Sequence, residues 1–462
     1  MKRSLIRSLA TVLTVAATGL AGALASPAQD LFDQATFFLE FQYYGPSKLD
    51  LKALTGKYQT ELDKACADTK DTCAYDKAEP LIATMLSDLE DKHAYYLTAE
   101  DVAQESAQVS GTASSPSPRI GITHTGFVEA DGKRQGIGGL TPEAVQALQE
   151  GKAKLLSNDR LVTSVLPNSP AEKAGLKAGD RWTGYNGTAF SSFTNVQEYA
   201  KFFAAFGEKI RAGETVTMML VRGVERTKLE IALKGEIVNL VVFPSLDVQA
   251  NGIAILRLPD FFIQGVGQRV HDLVREAQSK NVKAIILDMR GNGGGLGNER
   301  AIAGGAFFEN PENMRRVPRY NAATQTVEEV FKNGAFVQRL LNGPELGKQP
   351  VNNPVLWKGP MVVLIDEGCA SACEYMAAYF QRLKRAPVIG SPSLGIGNTN
   401  TQRFGLINGA AAAFPTLRAT WSDGVPLPEQ ITPDVVSTSD LYTIFETGRD
   451  SNLEKAFEVL GL

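Results

Sequence analysis

A serine at position 371 carries the strongest chemical signal in this chain. It lies in residues 368–374, between a continuous apolar run at 361–365 and a segment with helical spacing. A serine at such a strand-to-helix turn is exposed on one side and lies at the helix N-terminus, where the helix dipole favours negative charge. The N–H of Ala372 points the same way and is a candidate donor to an oxyanion. The turn therefore predicts a serine nucleophile, with a plain helix N-cap as the alternative.

A glycine-rich turn upstream offers further backbone donors. Residues 284–288 form an apolar run typical of a buried strand, and residues 291–295 follow with the composition Gly-Asn-Gly-Gly-Gly. Glycine lets the backbone approach a bound group closely. Asp288 and Arg290 are predicted to be a structural pair rather than catalytic groups, because strand-end charges of this kind usually pair with each other or with backbone.

The bulk properties exclude several classes of protein. A chain of 462 residues is too long for one ordinary core, and a formal net charge of −4 does not suggest a nucleic-acid partner. The basic start and the apolar run at 9–24 predict a signal peptide over residues 1–25. No later stretch is long and apolar enough to span a membrane. We therefore expect an exported protein, periplasmic, in the cell envelope or extracellular, with a retained N-terminal anchor as the alternative.

The four cysteines form two local pairs. Cys66 and Cys73 lie in a polar stretch, and Cys369 and Cys373 flank the candidate nucleophile. Each pair is a candidate disulfide in an exported chain. The second pair could equally be two small apolar side chains around the turn. No metal site is expected, because no histidine lies near either pair.

After the signal peptide the chain divides into four parts. Residues 26–105 have helical spacing, and residues 106–118 are a linker rich in Ser, Thr, Ala and Pro. Residues 119–236 are rich in strand patterns, and residues 237–462 alternate strand and helix patterns. This alternation predicts a multidomain α/β fold. An Asn-, Pro- and charge-rich excursion at 310–354 is expected to cover the site.

The strand-rich part resembles a PDZ domain. The resemblance rests on residues 169–180, a turn, short helix and turn, and on the strand patterns at 162–166 and 216–222. Residues 128–158 are expected to be an insertion between its first strands. A PDZ domain binds a polypeptide C-terminus by strand addition, with the carboxylate in a nest of backbone N–H groups. The resemblance places that nest at Arg119, Ile120, Gly121 and Ile122.

The order of all parts resembles the C-terminal processing peptidases, also called tail-specific proteases. Besides the PDZ phrase, the resemblance rests on residues 86–97, 288–295, 369–374, 387–397 and 424–436. It implies a crotonase-like α/β peptidase core, polypeptide substrates and no cofactor. On the matching positions, Ser371 is the nucleophile. The oxyanion donors are Ala372 together with Gly294 or Gly295.

The general base departs from the family pattern. The closest members carry a lysine where this chain has Ile396, which cannot accept a proton, and Asn400 stands where some members have a supporting glutamine. The tricorn-type core proteases, which resemble the same scaffold, use a histidine and a glutamate instead. The matching positions here are His93 and Glu429, and a histidine–carboxylate pair would supply the base. The alternative for His93 is a structural histidine at a helix end. Glu374, one helical turn after the serine, is a further candidate.

Two functions follow from this pattern. The first is an exported serine endopeptidase that acts on polypeptides through acyl transfer at Ser371. The second is a catalytically inactive protein that binds a peptide or an apolar ligand on the same scaffold, because a fold alone does not imply hydrolysis. His93 within hydrogen-bond reach of Ser371 would favour the peptidase. A large apolar cavity and a distant His93 would favour the binding protein.

Overall fold

The computed structural model describes residues 25–309, 311–437 and 440–461. The predicted signal peptide lies outside these residues, except for its last position. Within them the strands form three sheets, flanked by helices, so the predicted multidomain α/β fold is confirmed.

The N-terminal segment packs three helices around an apolar cluster. Its elements are α1 (Pro27–Gln42), α2 (Leu51–Ala65), α3 (Tyr75–Ser87), β1 (Tyr95–Leu97) and α4 (Ala99–Val109). Ser26 caps α1, with proline at the first helical position, as expected for a helix start. The disulfide Cys66–Cys73 links the end of α2 to the residues before α3.

Two predictions for this segment need correction. It is not wholly helical, because Tyr95–Leu97 form a strand that pairs with residues 411–413 of the core; aromatic side chains suit such a half-buried position. The predicted linker at 106–118 begins inside a helix. A capping box between Thr98 and Asp101 starts that helix, which continues to Val109.

The second part is a sheet with one long helix and two short ones. Its strands are β2 (Ile122–Ala130), β3 (Lys133–Ile137), β4 (Ala153–Val165), β5 (Arg181–Tyr185), β6 (Thr188–Ala189), β7 (Thr215–Arg222) and β8 (Thr227–Lys234). Its helices are α5 (Pro142–Gln149), α6 (Pro170–Lys173) and α7 (Val196–Arg211). The strand order is β3-β2-β4-β5-β7-β8, and backbone hydrogen bonds between Arg119 and Glu236 close its base. The predicted insertion at 128–158 is largely part of this sheet, since β2 and β4 extend into it and β3 pairs with β2.

The third part is built on a six-stranded sheet. Its strands are β9 (Ser245–Val248), β10 (Ile253–Arg257), β11 (Ala284–Asp288), β16 (Met361–Ile365), β17 (Val388–Gly390) and β20 (Val435–Val436). They lie in the order β20-β17-β16-β11-β10-β9, and all of them are parallel except β9. The helices of this part are α8 (Val266–Ser279), α9 (Gly297–Gly304), α11 (Ala372–Arg382), α12 (Leu441–Thr447) and α13 (Ser451–Val459). Strands β11 and β16 are buried along their whole length, as their continuous apolar runs predict.

A second, antiparallel sheet lies beside the parallel one. It contains β1 and β12 (Met314–Pro318), β13 (Val327–Lys332), β14 (Ala335–Leu340), β15 (Glu345–Pro350), β18 (Thr399–Gly405) and β19 (Ala411–Trp421), with the short helix α10 (Ala322–Gln325). The predicted excursion at 310–354 is therefore mostly a strand ladder. Its signal is the pair Asn333-Gly334, which forms the two-residue turn between β13 and β14 with positive φ at both residues.

The C-terminal helices connect the second and third parts. Phe445 on α12 is fully buried and packs against Phe127 of β2, while the guanidinium of Arg181 lies 4.2 Å from the centre of the Phe445 ring. Helix α13 packs on the core beside β16 and β17. The sheet that carries the candidate peptide-binding nest is thus joined to the core by the end of the chain.

Candidate active site

Ser371 lies at the carboxyl edge of the parallel sheet, where α/β proteins place their sites. It follows β16 and directly precedes α11. Its backbone has φ +52° and ψ −113°, a conformation that L-residues rarely adopt and that costs about 1–3 kcal/mol. Its side chain is half-buried. An ordinary helix N-cap has extended backbone, so the positive φ of Ser371 distinguishes this turn from a plain cap.

The carboxylate of Glu374 holds this turn in place. Its Oε2 accepts a hydrogen bond from the Ser371 N–H at 2.8 Å. Its Oε1 accepts from the Ser393 hydroxyl at 2.6 Å and from the Gly395 N–H at 2.7 Å, and Oε2 also accepts from the Ile396 N–H at 3.1 Å. Glu374 is fully buried; burial raises its pKa, and these hydrogen bonds oppose that shift. One side chain therefore fixes Ser371 to the loop at 393–396.

A disulfide encloses the same turn. Cys369 and Cys373 are bonded to each other and are both fully buried. The carbonyl of Cys369 also accepts a hydrogen bond from the Leu394 N–H at 3.0 Å. Ser371 is thus the middle residue of a covalently closed loop, and the same loop at 393–396 lies against it.

The glycine turn lies in direct contact with Ser371. Gly294 has φ +95°, and a Cβ at this position would lie 2.9 Å from the Ser371 Cβ and 2.7 Å from the Ala370 carbonyl oxygen. Only glycine fits such an approach. The Gly294 N–H donates to Oδ1 of Asn292 at 2.9 Å, whereas the N–H groups of Gly295 and Ala372 have no hydrogen-bond partner among the residues described. Gly295 and Ala372 are therefore the two predicted donors that this conformation leaves free.

His93 lies in the N-terminal segment and contacts Thr399, the first residue of β18. Its Nδ1 lies 2.8 Å from the Thr399 hydroxyl, and its backbone N–H donates to Asp91. The side chain is 7% exposed, and burial lowers its pKa, which the charge of Asp91 partly opposes. A hydrogen bond between His93 and Ser371 is not found in the described part of the chain. The imidazole is neutral near pH 7, and its Nε2 is left without a hydrogen-bond partner there.

Glu429 does not orient this histidine. Its side chain is exposed, and its Oε1 accepts from the Asn398 amide at 3.1 Å. The predicted histidine–glutamate pair is therefore absent from this conformation, and the hydroxyl of Thr399 occupies the position beside Nδ1. Thr399 gives no signal in the sequence, because its role depends on a contact between the distant residues 93 and 399.

The remaining positions singled out in the sequence make the following contacts. Ile396 is half-buried, and Asn400 lies 3.3 Å from the Tyr375 hydroxyl, which also donates to the Thr399 carbonyl. Asp288 and Arg290 form an ion pair at 2.8 Å, as predicted. Glu374, which the sequence analysis treated only as a further candidate base, instead binds both the Ser371 turn and the loop at 393–396. Its sequence signal is the Ser-x-x-Glu spacing of a capping box.

The residues predicted to form the peptide-binding nest lie just before and at the start of β2. Gly121 has φ +82° and packs against Ser169, where a Cβ would clash. The backbone of Arg119 is bonded to Glu236. Strand β3 pairs with β2 from Gly126 to Ala130, so the edge from Ile122 to Thr125 is the part of this side of β2 that has no strand beside it.

Two family models match the chain. Residues 252–437 match the model of peptidase family S41, and residues 161–211 match a PDZ domain. The chain contains a family S41 peptidase domain and a PDZ domain. The resemblance to the C-terminal processing peptidases is thereby confirmed.

Several known proteins are similar to this chain. The carboxy-terminal processing protease CtpA of Bacillus subtilis (strain 168) is 28% identical over 244 residues, 53% of this chain and 46% of that protein. A probable CtpA-like serine protease of Staphylococcus aureus (strain N315) is 24% identical over 292 residues, 62% of this chain and 51% of that protein. The alignments thus span about half the length of these relatives.

Solved structures are also similar to this chain, and the first of the two below shows the same fold. A putative S41 protease from Bacteroides fragilis NCTC 9343 has a TM-score of 0.51 at 13% identity and covers 92% of this chain and 96% of that one. A photosystem II D1 C-terminal processing protease has a TM-score of 0.44 at 19% identity and covers 92% and 99%. Neither a membrane-spanning helix nor a cluster of metal-ligating side chains is found in the described residues.

Replacing Glu374 by glutamine tests the role of the buried carboxylate. The amide keeps one acceptor oxygen but turns an NH₂ group toward backbone N–H donors, so hydrogen bonds to a charged group worth about 1.5–3 kcal/mol each are lost. We expect Glu374→Gln to lower the free energy of unfolding by about 2 kcal/mol in urea denaturation. The control is Glu367→Gln, an exposed carboxylate bonded only to Ser391, with an expected change within about 0.5 kcal/mol. Equal effects of the two variants would contradict this role.

Restoring a lysine at position 396 tests whether the family base is missing. In Ile396→Lys the new amine lies in a half-buried loop, and desolvation lowers its pKa toward the range of a general base. General bases contribute about 10²–10⁴-fold, so in a His93→Gln background, which lacks the candidate histidine base, we expect the lysine to raise peptide hydrolysis at least tenfold above pH 8. Ile396→Met has the same reach without a charge and should leave the rate unchanged. A lysine variant no faster than the methionine variant would show that position 396 does not lack a base.

Proposed function

We propose that this protein is an exported serine endopeptidase that cleaves polypeptides captured by their C-terminal tails, with Ser371 as the nucleophile. The observation that carries the proposal is the strained backbone of Ser371 beside Gly294. A serine that only capped a helix would need neither the positive φ nor a close glycine. Strain of this kind persists only where the surroundings impose it, and here a buried carboxylate and a disulfide do so.

The chemistry follows from these positions. The Ser371 oxygen attacks the carbonyl carbon of the scissile peptide bond, and its proton passes to a base. The negative charge that develops on the carbonyl oxygen is stabilised by the N–H groups of Ala372 and Gly295, each worth roughly 10²–10³ in rate. The tetrahedral species collapses to an acyl-serine, and the amine leaves with the proton. Water then attacks the acyl group and releases Ser371.

His93 is the base in this proposal. In this role the neutral imidazole carries its proton on Nδ1 and donates it to the Thr399 hydroxyl oxygen, which fixes the ring and leaves Nε2 to accept the proton of Ser371, directly or through one water. Burial lowers the pKa of His93, so the imidazole stays in its basic form in mildly acid solution. Thr399 takes the orienting role that the sequence assigned to Glu429.

The PDZ domain supplies the capture step. Strand β3 does not pair with the edge of β2 from Ile122 to Thr125, and the positive φ of Gly121 turns the backbone at the start of that edge. We propose that a polypeptide tail adds there, with its carboxylate at Ile120, Gly121 and Ile122. The pairing of β3 with β2 from Gly126 onward limits the added strand to a few residues.

Export is supported by cysteine usage. The four cysteines form two disulfides, and disulfides persist mainly in oxidising compartments. One of them encloses the nucleophile, so the proposed active turn is complete only where thiols are oxidised.

A peptide-binding protein without catalysis is the second candidate. Ile396 at the position of the family lysine and the absence of a hydrogen bond from His93 to Ser371 favour it. The cavity of about 650 Å³ beside α9 counts against an apolar ligand, because amide and charged side chains make up most of its lining residues.

The test is cleavage of an unstructured reporter protein by the full chain. We expect cleavage that Ser371→Ala abolishes and that His93→Gln slows by about 10²–10⁴-fold. The base must be unprotonated and its pKa is lowered, so the rate should hold as pH falls through 6.5 and decline only below it, a limb absent in His93→Gln. Amidation of the reporter C-terminus should raise KM with little change in kcat.

Two outcomes would count against this proposal. Cleavage that persists in Ser371→Ala would remove the nucleophile assignment. Tight binding of the reporter tail with no cleavage by the wild-type protein would establish the binding protein instead.

A further inference from the structure

Tyr375 is a buried phenol that links the proposed active turn to the strand that contacts His93. It lies one helical turn after Ser371 on α11 and is 2% exposed. Its hydroxyl donates to the Thr399 carbonyl oxygen at 2.7 Å, and Oδ1 of Asn400 lies 3.3 Å from the same hydroxyl. The mechanism proposed above gives this side chain no role.

The surroundings of Tyr375 hold its ring in one place. The guanidinium of Arg316 lies 5.5 Å from the ring centre, and this arginine is itself bonded to the Glu329 carboxylate at 3.0 Å. The Tyr375 backbone N–H donates to the Ser371 carbonyl oxygen at 3.0 Å. Burial raises the pKa of Tyr375 to about 12, so the hydroxyl keeps its proton at neutral pH. Tyr375 is therefore a fixed donor to the Thr399 carbonyl.

The contacts continue from Tyr375 to the imidazole through a single residue. Thr399 accepts from Tyr375 at its carbonyl, and its side-chain hydroxyl lies 2.8 Å from Nδ1 of His93. Thr399 and His93 are both buried. The proton on one ring nitrogen of a histidine is set by the hydrogen bond that the other nitrogen makes, so the Thr399 contact decides whether Nε2 is free to act.

We propose that Tyr375 is a positioning residue, which orients the imidazole of His93 through Thr399. The proposal rests on the proposed function, in which His93 is the base. Because α11 begins directly after Ser371, the phenol fixes the partner of the base relative to the helix that carries the nucleophile. A displacement of a reacting group by 1 Å can cost about 10²-fold in rate, so this contact affects kcat rather than substrate binding.

The first test is the cleavage of the unstructured reporter by the full-length Tyr375→Phe protein. This variant keeps the ring and removes only the hydroxyl, so we expect kcat to fall about 10–100-fold with KM within about twofold. The matched control is Tyr379→Phe. Tyr379 lies one turn further along α11, is 3% exposed, and donates its hydroxyl to the Glu312 carbonyl oxygen at 2.7 Å. Both variants lose a buried phenol-to-carbonyl bond, but only Tyr375→Phe should be slow.

The second test observes the imidazole directly and needs no catalysis. The chain has three histidines, so nitrogen isotope labelling of histidine gives three sets of ring signals in NMR spectra, and His93→Gln identifies its own set. In mildly alkaline solution we expect one tautomer of His93 in the wild-type protein, with the proton on Nδ1. Tyr375→Phe and Thr399→Val should both give a mixture of the two tautomers. The signals of His124 and His271 should not change.

The double variant Tyr375→Phe/Thr399→Val tests whether the two residues act by one route. It should be no slower than Thr399→Val alone, because contacts in one chain are not additive. Independent losses in the two single variants would overturn the proposal.

The two tests also separate this proposal from the proposed function. Ring signals in Tyr375→Phe that match those of the wild type would overturn the positioning role, whatever the activity. Altered signals with an unchanged kcat would overturn it too, and would remove His93 as the base. A wild-type protein that cleaves nothing would remove the peptidase function, and the NMR spectra alone would then decide whether Tyr375 orients the ring.

Discussion

The hydrogen bonds to the buried carboxylate of Glu374 are the interaction on which the site depends. They connect a backbone that L-residues avoid, at Ser371, to the loop at 393–396. Without them the positive φ of Ser371 would relax toward an ordinary cap, since strain of about 1–3 kcal/mol persists only where it is imposed. The disulfide around the turn adds a covalent constraint to the same atoms. The same loop leads to Thr399, which contacts His93. Residues 393–399 therefore help to position both the candidate nucleophile and the candidate base.

The rest of the fold explains how such a turn is held. Parallel strands β11 and β16 end side by side, which brings the glycine turn after Asp288 against the turn that contains Ser371. Asn292 joins the two turns, because its side chain binds the Gly294 N–H and its carbonyl accepts from Ala370. The N-terminal segment adds a strand to the antiparallel sheet and so brings His93 to the site. The candidate site therefore needs both the N-terminal segment and the core, although the sequence pattern predicts them as separate units.

The sequence predicted local features well and long-range contacts poorly. The apolar runs at 284–288 and 361–365 identified the buried strands, and composition alone located the glycine turn, because periodicity and glycine content are local properties. The pairing of Tyr95–Leu97 with β19 escaped prediction, since a three-residue strand has almost no periodic signal. The partner of His93 was also missed, because a threonine hydroxyl can bind an imidazole as well as a glutamate can, and only the fold decides which is near.

The most direct measurement is mass-spectrometric mapping of a fluorophosphonate adduct on the full-length protein. An activated serine reacts with this probe, whereas an ordinary hydroxyl does not. If Ser371 is the nucleophile and His93 its base, we expect one adduct per chain, located on Ser371. It should form more slowly in His93→Gln and be absent in Ser371→Ala. A wild-type protein that cleaves polypeptides but carries its adduct on another residue would contradict the account. A wild-type protein that takes no adduct and cleaves nothing would do so as well.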